Sequence, residues 1–146
     1  MRLSTKGEYG VIACYDLARF GGDAPVPLKA IAERQGISEG SLEQLIGPLR
    51  RAGLVRSVRG AQGGYALARS PEKITVGDII RVLEGPIAPL ECVSEDADRL
   101  PSCARSGSCV TRPIWERLRD SMTSVLDSIT LASLLDEADA RGGGAV

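Results

Sequence analysis

Three of the four cysteines fall in one stretch, spaced Cys92-x10-Cys103-x5-Cys109. The stretch also holds Pro101, Gly107 and several serines, so neither a sheet nor a core is expected to fix these thiols. Three thiols in such a loop suit a soft metal or an iron–sulfur cluster that orders the loop on binding. Nearby Arg99, Arg105 and Arg112 favour thiolates and would equally serve a thiol redox switch. Structural zinc usually sits on paired C-x2–4-C knuckles with four thiolate or imidazole ligands. That spacing is absent and there is no histidine to complete the set, so zinc and inert thiols rank behind cluster and redox chemistry. Cys14 falls within a helical pattern and reads as a small buried hydrophobe.

Having no histidine also removes the commonest general base and every catalytic triad built on one. A P-loop needs Gly-Lys-Ser/Thr opening a helix, whereas Gly60-Ala61-Gln62-Gly63-Gly64 opens a strand. With no nucleotide loop and no carboxylate pair in a plausible cleft, the chain does not read as an enzyme or a nucleotide binder. The start, Met1-Arg2-Leu3-Ser4-Thr5-Lys6-Gly7-Glu8, carries no apolar signal region. No run of about 18 apolar residues could span a membrane. The expectation is a cytoplasmic protein whose cysteines are reduced, metal-bound or redox-active.

A second kind of chemistry comes from charge. The formal net charge is only −1, but residues 1–70 carry ten Lys/Arg against six Asp/Glu, and residues 71–146 carry eight against thirteen. A basic front half and an acidic back half are expected when one half meets a polyanion.

The elements that must position these groups follow from periodicity and caps. Thr5-x-x-Glu8 is a capping-box pattern, opening a helix that ends at Gly21-Gly22. Leu28–Gln35 forms a short helix stopped by Gly36. Ser38 N-caps the next helix, with Ile37 and Leu42 as a hydrophobic staple. Leu42, Leu45, Ile46 and Leu49 bury one face of it, and Pro48 predicts a kink or a tightened last turn. Two helices around Gly36-Ile37-Ser38 make a helix-turn-helix over Leu28 to Arg51. Leu54–Arg59 alternates as a strand, Gly60–Gly64 turns, and Tyr65–Ala68 returns, which makes a basic hairpin, or wing.

Thr75-x-x-Asp78 launches a helix to Gly85-Pro86, and an irregular segment follows to about Thr111. Pro113 opens the longest helix, where Trp115, Leu118, Met122, Val125 and Ile129 form an a/d seam, for dimerisation in preference to packing on the N-terminal domain. Thr130 caps a last helix, Leu131–Ala138. The fold class expected is mainly α with a small β wing, a winged helix-turn-helix domain plus a long C-terminal dimerisation helix. Its parts are a DNA-binding domain over residues 1–84, a cysteine loop over 85–112, the dimerisation helix and short C-terminal helix over 113–139, and a disordered tail over 140–146.

Docked in a major groove, the Ser38–Ala52 helix would read base edges with its first turns. Glu43 can accept from a cytosine amine, Gln44 can pair bidentately with adenine, and Ser41 can serve either. Arg50, Arg51 and Arg56 suit phosphates, and Arg59 suits a minor groove, with Gln62 and the backbone from Gly60 to Gly64 beside it.

Over nearly its whole length, to about Glu137, the chain resembles the IscR-type iron–sulfur cluster regulator family, whose relatives include NsrR and CymR. The resemblance is carried by Met1-Arg2-Leu3-Ser4-Thr5-Lys6-Gly7, Ala32-Glu33-Arg34-Gln35-Gly36-Ile37-Ser38 and Leu42-Glu43-Gln44-Leu45. Gly53-Leu54-Val55, Ser57-Val58-Arg59-Gly60, Gly63-Gly64-Tyr65 and Val76-Gly77-Asp78 extend it. It implies a homodimer on a palindromic DNA operator, with Cys92, Cys103 and Cys109 holding a cluster, [2Fe–2S] in preference to [4Fe–4S]. Enterobacterial-type members complete the site with a histidine three residues after the last cysteine, where this chain has Arg112. Other branches recruit a carboxylate from the partner's first helix, which makes Glu8 the candidate fourth ligand. The resulting expectation is a regulator, repressor in preference to activator, of iron–sulfur biogenesis or sulfur-metabolism genes. Its rivals are a cluster-free thiol or metal regulator on this fold and a cluster carrier without DNA binding.

Overall fold

The computed structural model describes residues 3–22, 24–95 and 109–142. Six helices and one hairpin follow in chain order: α1 (Thr5–Phe20), α2 (Leu28–Gln35), α3 (Glu39–Arg51), β1 (Val55–Val58), β2 (Gly64–Leu67), α4 (Val76–Glu84), α5 (Arg112–Ser128) and α6 (Leu131–Ala140). The strands pair antiparallel, with Val55 opposite Leu67 and Val58 opposite Gly64. This is a winged helix-turn-helix fold.

Local chemistry accounts for most boundaries. Gly36 ends α2 in the left-handed region at φ 68°, where a side chain is disfavoured. Ser38 caps α3 by accepting the Ser41 N–H at 3.1 Å. Pro48 stands inside α3 without ending it. The helix closes instead at Gly53, whose N–H donates to the Arg50 carbonyl while the Leu54 N–H reaches the Leu49 carbonyl at 3.1 Å. Leu49 and Leu54 are both buried, supplying the apolar contact that goes with this ending. Thr75 and Asp78 make the expected capping box on α4. Thr130 makes another on α6, with Ser133 as its partner. The two boxes lie side by side, because Thr75 and Thr130 form an antiparallel bridge.

The main core joins Ala13, Cys14 and Leu17 of α1 to Ile31 of α2, the Leu42–Leu45–Leu49 stripe of α3, Leu54, Val55, Ile79 and Leu131. A smaller cluster of Val76, Ile80 and Ile87 receives Met122 and Leu126 from α5 and Ile129 just after it.

Three expectations are corrected. Thr5 and Glu8 do not make a capping box, since the N-cap is Ser4 and Thr5 is already helical. Glu84, the last residue of α4, takes over that role: its carboxylate accepts the Ser4 hydroxyl and the Gly7 N–H. The expected tail boundary at residue 140 falls inside α6, which runs to Ala140 and closes with the Arg141 N–H on the Glu137 carbonyl at 3.1 Å. The a/d seam is divided, because Met122 and Ile129 pack on the chain's own small cluster while Leu118 and Val125 face outward. A helix that must also hold its own domain cannot give its whole apolar stripe to another copy.

Candidate DNA interface and cysteine segment

The polar face of α3 is open. Glu39, Glu43, Gln44, Arg50 and Arg51 are exposed and Ser41 is half-buried. Ser38 spends its hydroxyl on the cap and on a 2.9 Å bond to the Ser41 hydroxyl, which keeps its own proton to donate. On the wing, Arg56, Arg59, Gly60 and Gln62 are exposed. Arg50, Arg51, Arg56 and Arg59 have no carboxylate partner among the described residues. Arg19, Arg34, Arg112 and Arg119 each have one, and Arg81 has two. Guanidiniums left uncompensated on two neighbouring elements are what a phosphate backbone requires.

Two features hold these elements in place, and neither was anticipated from sequence. Asp16 of α1 is fully buried. It accepts Arg34 Nε at 3.0 Å, the same guanidinium's NH2 group at 2.7 Å and Gln35 Nε2 at 3.0 Å. The Arg34 guanidinium lies 4.2 Å above the Phe20 ring. The end of α2, and with it the turn into α3, is thus fastened to α1. The only sequence signal was an acid beside buried Tyr15 and Leu17. The second feature fixes the wing, where Val26 and Tyr65 exchange backbone hydrogen bonds at 2.8 Å each.

Two of the three clustered cysteines lie among the described residues. Cys92 is half-buried in a 3₁₀ turn, Glu91–Val93, ahead of fully buried Val93. Arg119 of α5 donates to the Val93 carbonyl at 3.1 Å. Glu95 accepts Arg81 Nε at 2.6 Å and the Ile87 N–H at 2.9 Å. Arg81 also grips Asp127 of α5 through two bonds, at 2.7 and 2.8 Å. Hydrogen bonding to this guanidinium holds both carboxyls below the usual carboxylate range. Cys109 is half-buried just ahead of α5, with its Sγ 3.4 Å from the Thr111 hydroxyl. Cys103 and Arg105 lie outside the described residues. Cys14 is fully buried and burial pushes its thiol up to about 12, so it is core. Glu8 is exposed in the first turn of α1. Among the described residues, no three Cys, Asp or Glu side chains gather as a metal-binding group, and no helix is long and apolar enough to cross a membrane.

A family model described as an iron-dependent transcriptional regulator matches residues 3–137. The chain belongs to the Rrf2 family. It is 47% identical over 139 residues to the HTH-type transcriptional regulator CymR of Bacillus subtilis, covering 95% of this chain and 93% of that protein. The solved structure of CymR, the global cysteine regulator of B. subtilis, superposes with a TM-score of 0.78 at 46% identity, covering 92% and 95% of the two chains. The structure of T. potens IscR superposes with a TM-score of 0.78 at 53% identity, covering 97% and 91%. This Rrf2 protein is therefore a DNA-binding transcriptional regulator of CymR and IscR type, and its relatives are regulators, not enzymes.

Proposed function

We propose that this Rrf2 regulator is a homodimeric repressor of iron–sulfur biogenesis or sulfur-metabolism genes, acting from the cytoplasm on a palindromic operator. The observation that carries the DNA reading is the set of four uncompensated arginines framing the open polar face of α3. In it, residues 1–84 read DNA, 85–112 sense and 113–139 dimerise. Ser41, Glu43 and Gln44 face base edges, Ser38 sets the helix that carries them, and Arg50, Arg51 and Arg56 meet phosphates. Arg59, Gly60 and Gln62 enter the adjacent minor groove. The outward Ile114, Leu118 and Val125 of α5, exposed by 56%, 42% and 56%, supply the apolar stripe for the second copy.

The two described clustered thiols fit an iron–sulfur group. Both are half-buried outside the apolar core, on segments fastened by Val93, Glu95 and the start of α5. Cys92, Cys103 and Cys109 would hold the cluster, [2Fe–2S] in preference, with Glu8 of the partner as the candidate fourth ligand. When bound, such a cluster supplies a link among thiolates that responds to iron and oxidant. The chain's own part is mechanical, because Arg81 and Arg119 tie the segment's start to α4 and α5. Two reading heads must meet half-sites about one helical turn apart, so a small shift in their spacing lowers specific affinity steeply. The second reading is a cluster-free cysteine- or thiol-responsive regulator, favoured by the CymR likeness and by Arg112 standing where a histidine ligand would be.

Anaerobic purification with iron and sulfide counts separates the two. The cluster reading expects about one cluster per chain and its loss in Cys92→Ala; a colourless, iron-free anaerobic protein that still changes DNA affinity on thiol oxidation establishes the rival. The docking has its own check. Gln44→Ala should cost about 1–3 kcal/mol at one base position only, and Arg56→Ala should weaken all duplexes alike while lowering the salt slope by about 1. Gel shifts at several salt concentrations read both, and wild-type binding in both variants contradicts the docking.

A further inference from the structure

We infer that Glu84 is the positioning residue through which the cysteine segment acts on the first turn of α1. The inference rests on reading residues 85–112 as the sensing segment. A helix leaves its first N–H groups without internal partners, and the N-cap of α1, Ser4, makes no side-chain bond to its own helix. Glu84 answers from another element, taking the Ser4 hydroxyl and, at 2.9 Å, the Gly7 N–H. Its charge also meets the positive end of the α1 dipole.

The approach is shaped to this carboxylate. A Cβ at Gly7 would lie 2.8 Å from Glu84 Oε1, and one at Gly10 would lie 2.0 Å from Leu83 Cδ1. A side chain at either position would have to displace the Glu84 carboxylate or the Leu83 methyl, so the two glycines let these side chains sit directly on α1. Immediately after Glu84, Gly85 at φ 89° turns the chain out into the cysteine segment. One helical turn earlier, Arg81 grips Glu95, three residues beyond Cys92. A single turn of α4 therefore has the sensing segment on one residue and the start of α1 on another. The residue after Gly7 is Glu8, the candidate ligand. A displacement of Glu95 is passed by Arg81 to α4 and by Glu84 to the Gly7 amide, while a purely local cap would pass on nothing.

Hydrogen exchange of the Gly7 amide in the reduced, metal-free full chain tests this directly. Glu84→Ala should exchange at least five-fold faster than wild type, and Glu84→Gln, which keeps an acceptor oxygen, should recover part of the protection. Glu95→Ala, remote from Gly7, should accelerate the same amide two- to three-fold while core amides such as Leu45 keep their wild-type rates. The inference is overturned if Glu95→Ala leaves Gly7 unchanged, since Glu84 is then only a local cap. It is equally overturned if Glu84→Gln matches wild type, the readout that remains should the alanine variant not fold. Iron and sulfide counts on wild type decide the sensing reading separately, so the two can fail independently.

Discussion

Asp16→Ala is expected to lower the melting temperature by about 5–10 °C, corresponding to about 2–3 kcal/mol in a chain of this size. The carboxylate is fully buried and accepts three hydrogen bonds from Arg34 and Gln35. Removing one partner of a buried pair costs about 3–5 kcal/mol when the other charge is stranded. The Arg34 side chain is 33% exposed and can turn to water, which reduces the penalty. Two donors at the end of α2 would nonetheless lose the group that fastens them to α1, one residue before Gly36 starts the turn into α3. Operator affinity should fall about tenfold, or ~1.4 kcal/mol, beyond what unfolding explains, because the turn that sets α3 is then held less firmly on α1. Asp16→Asn preserves volume but not charge and should fall between. Thermal melts with operator titrations below the transition read both effects; wild-type melting in the alanine variant would show that the clamp contributes nothing.

Gly64→Ala should be nearly as damaging, through a different physical route. Its Cβ would lie 2.4 Å from the Val26 carbonyl carbon, 2.5 Å from the Val26 oxygen and 2.7 Å from Pro27 N. All three are backbone atoms and cannot swing aside. The strand must retreat, breaking the paired Val26–Tyr65 hydrogen bonds at 2.8 Å that seat the wing. Two lost hydrogen bonds and the crowding together predict about 2–3 kcal/mol. DNA affinity should drop as well, because the wing that carries Arg59 is then unseated. Gly60→Ala is the control: its φ of 121° carries conformational strain, but nothing lies within 4 Å of the new methyl. Denaturant midpoints of the pair measure the difference, and equal losses would mean that the Val26 contact is not what seats the wing.

Much of the fold was legible in the chain because it is written locally. Ser38, Gly36, Gly53 and the Thr75–Asp78 pair each settle a helix end through atoms within a few residues, so α2 ends at Gln35 as expected and α4 starts where its box predicts. The polar face of α3 and the basic wing were equally readable, since exposure follows from the 3.6- and 2-residue periods. The first turn of α1 was misread for the opposite reason. Thr5 and Glu8 have the right spacing, but Glu84, 77 positions beyond Gly7, offers a charged acceptor that no local pattern announces.

Sequence alone determined the helix-turn-helix and its wing, the order of elements, and which cysteine belongs to the core. Those follow from short-range sterics, capping and periodic burial. Tertiary structure decided which arginines are spent and which are free, since pairing depends on carboxylates brought from distant elements. It assigned Arg34 to Asp16 and Arg81 to Glu95 and Asp127, and it left Arg50, Arg51, Arg56 and Arg59 without such partners among the described residues. It also divided the α5 stripe between its own domain and the outside. Ion pairs and shared apolar faces are properties of three-dimensional neighbours, and spacing along a chain does not encode them.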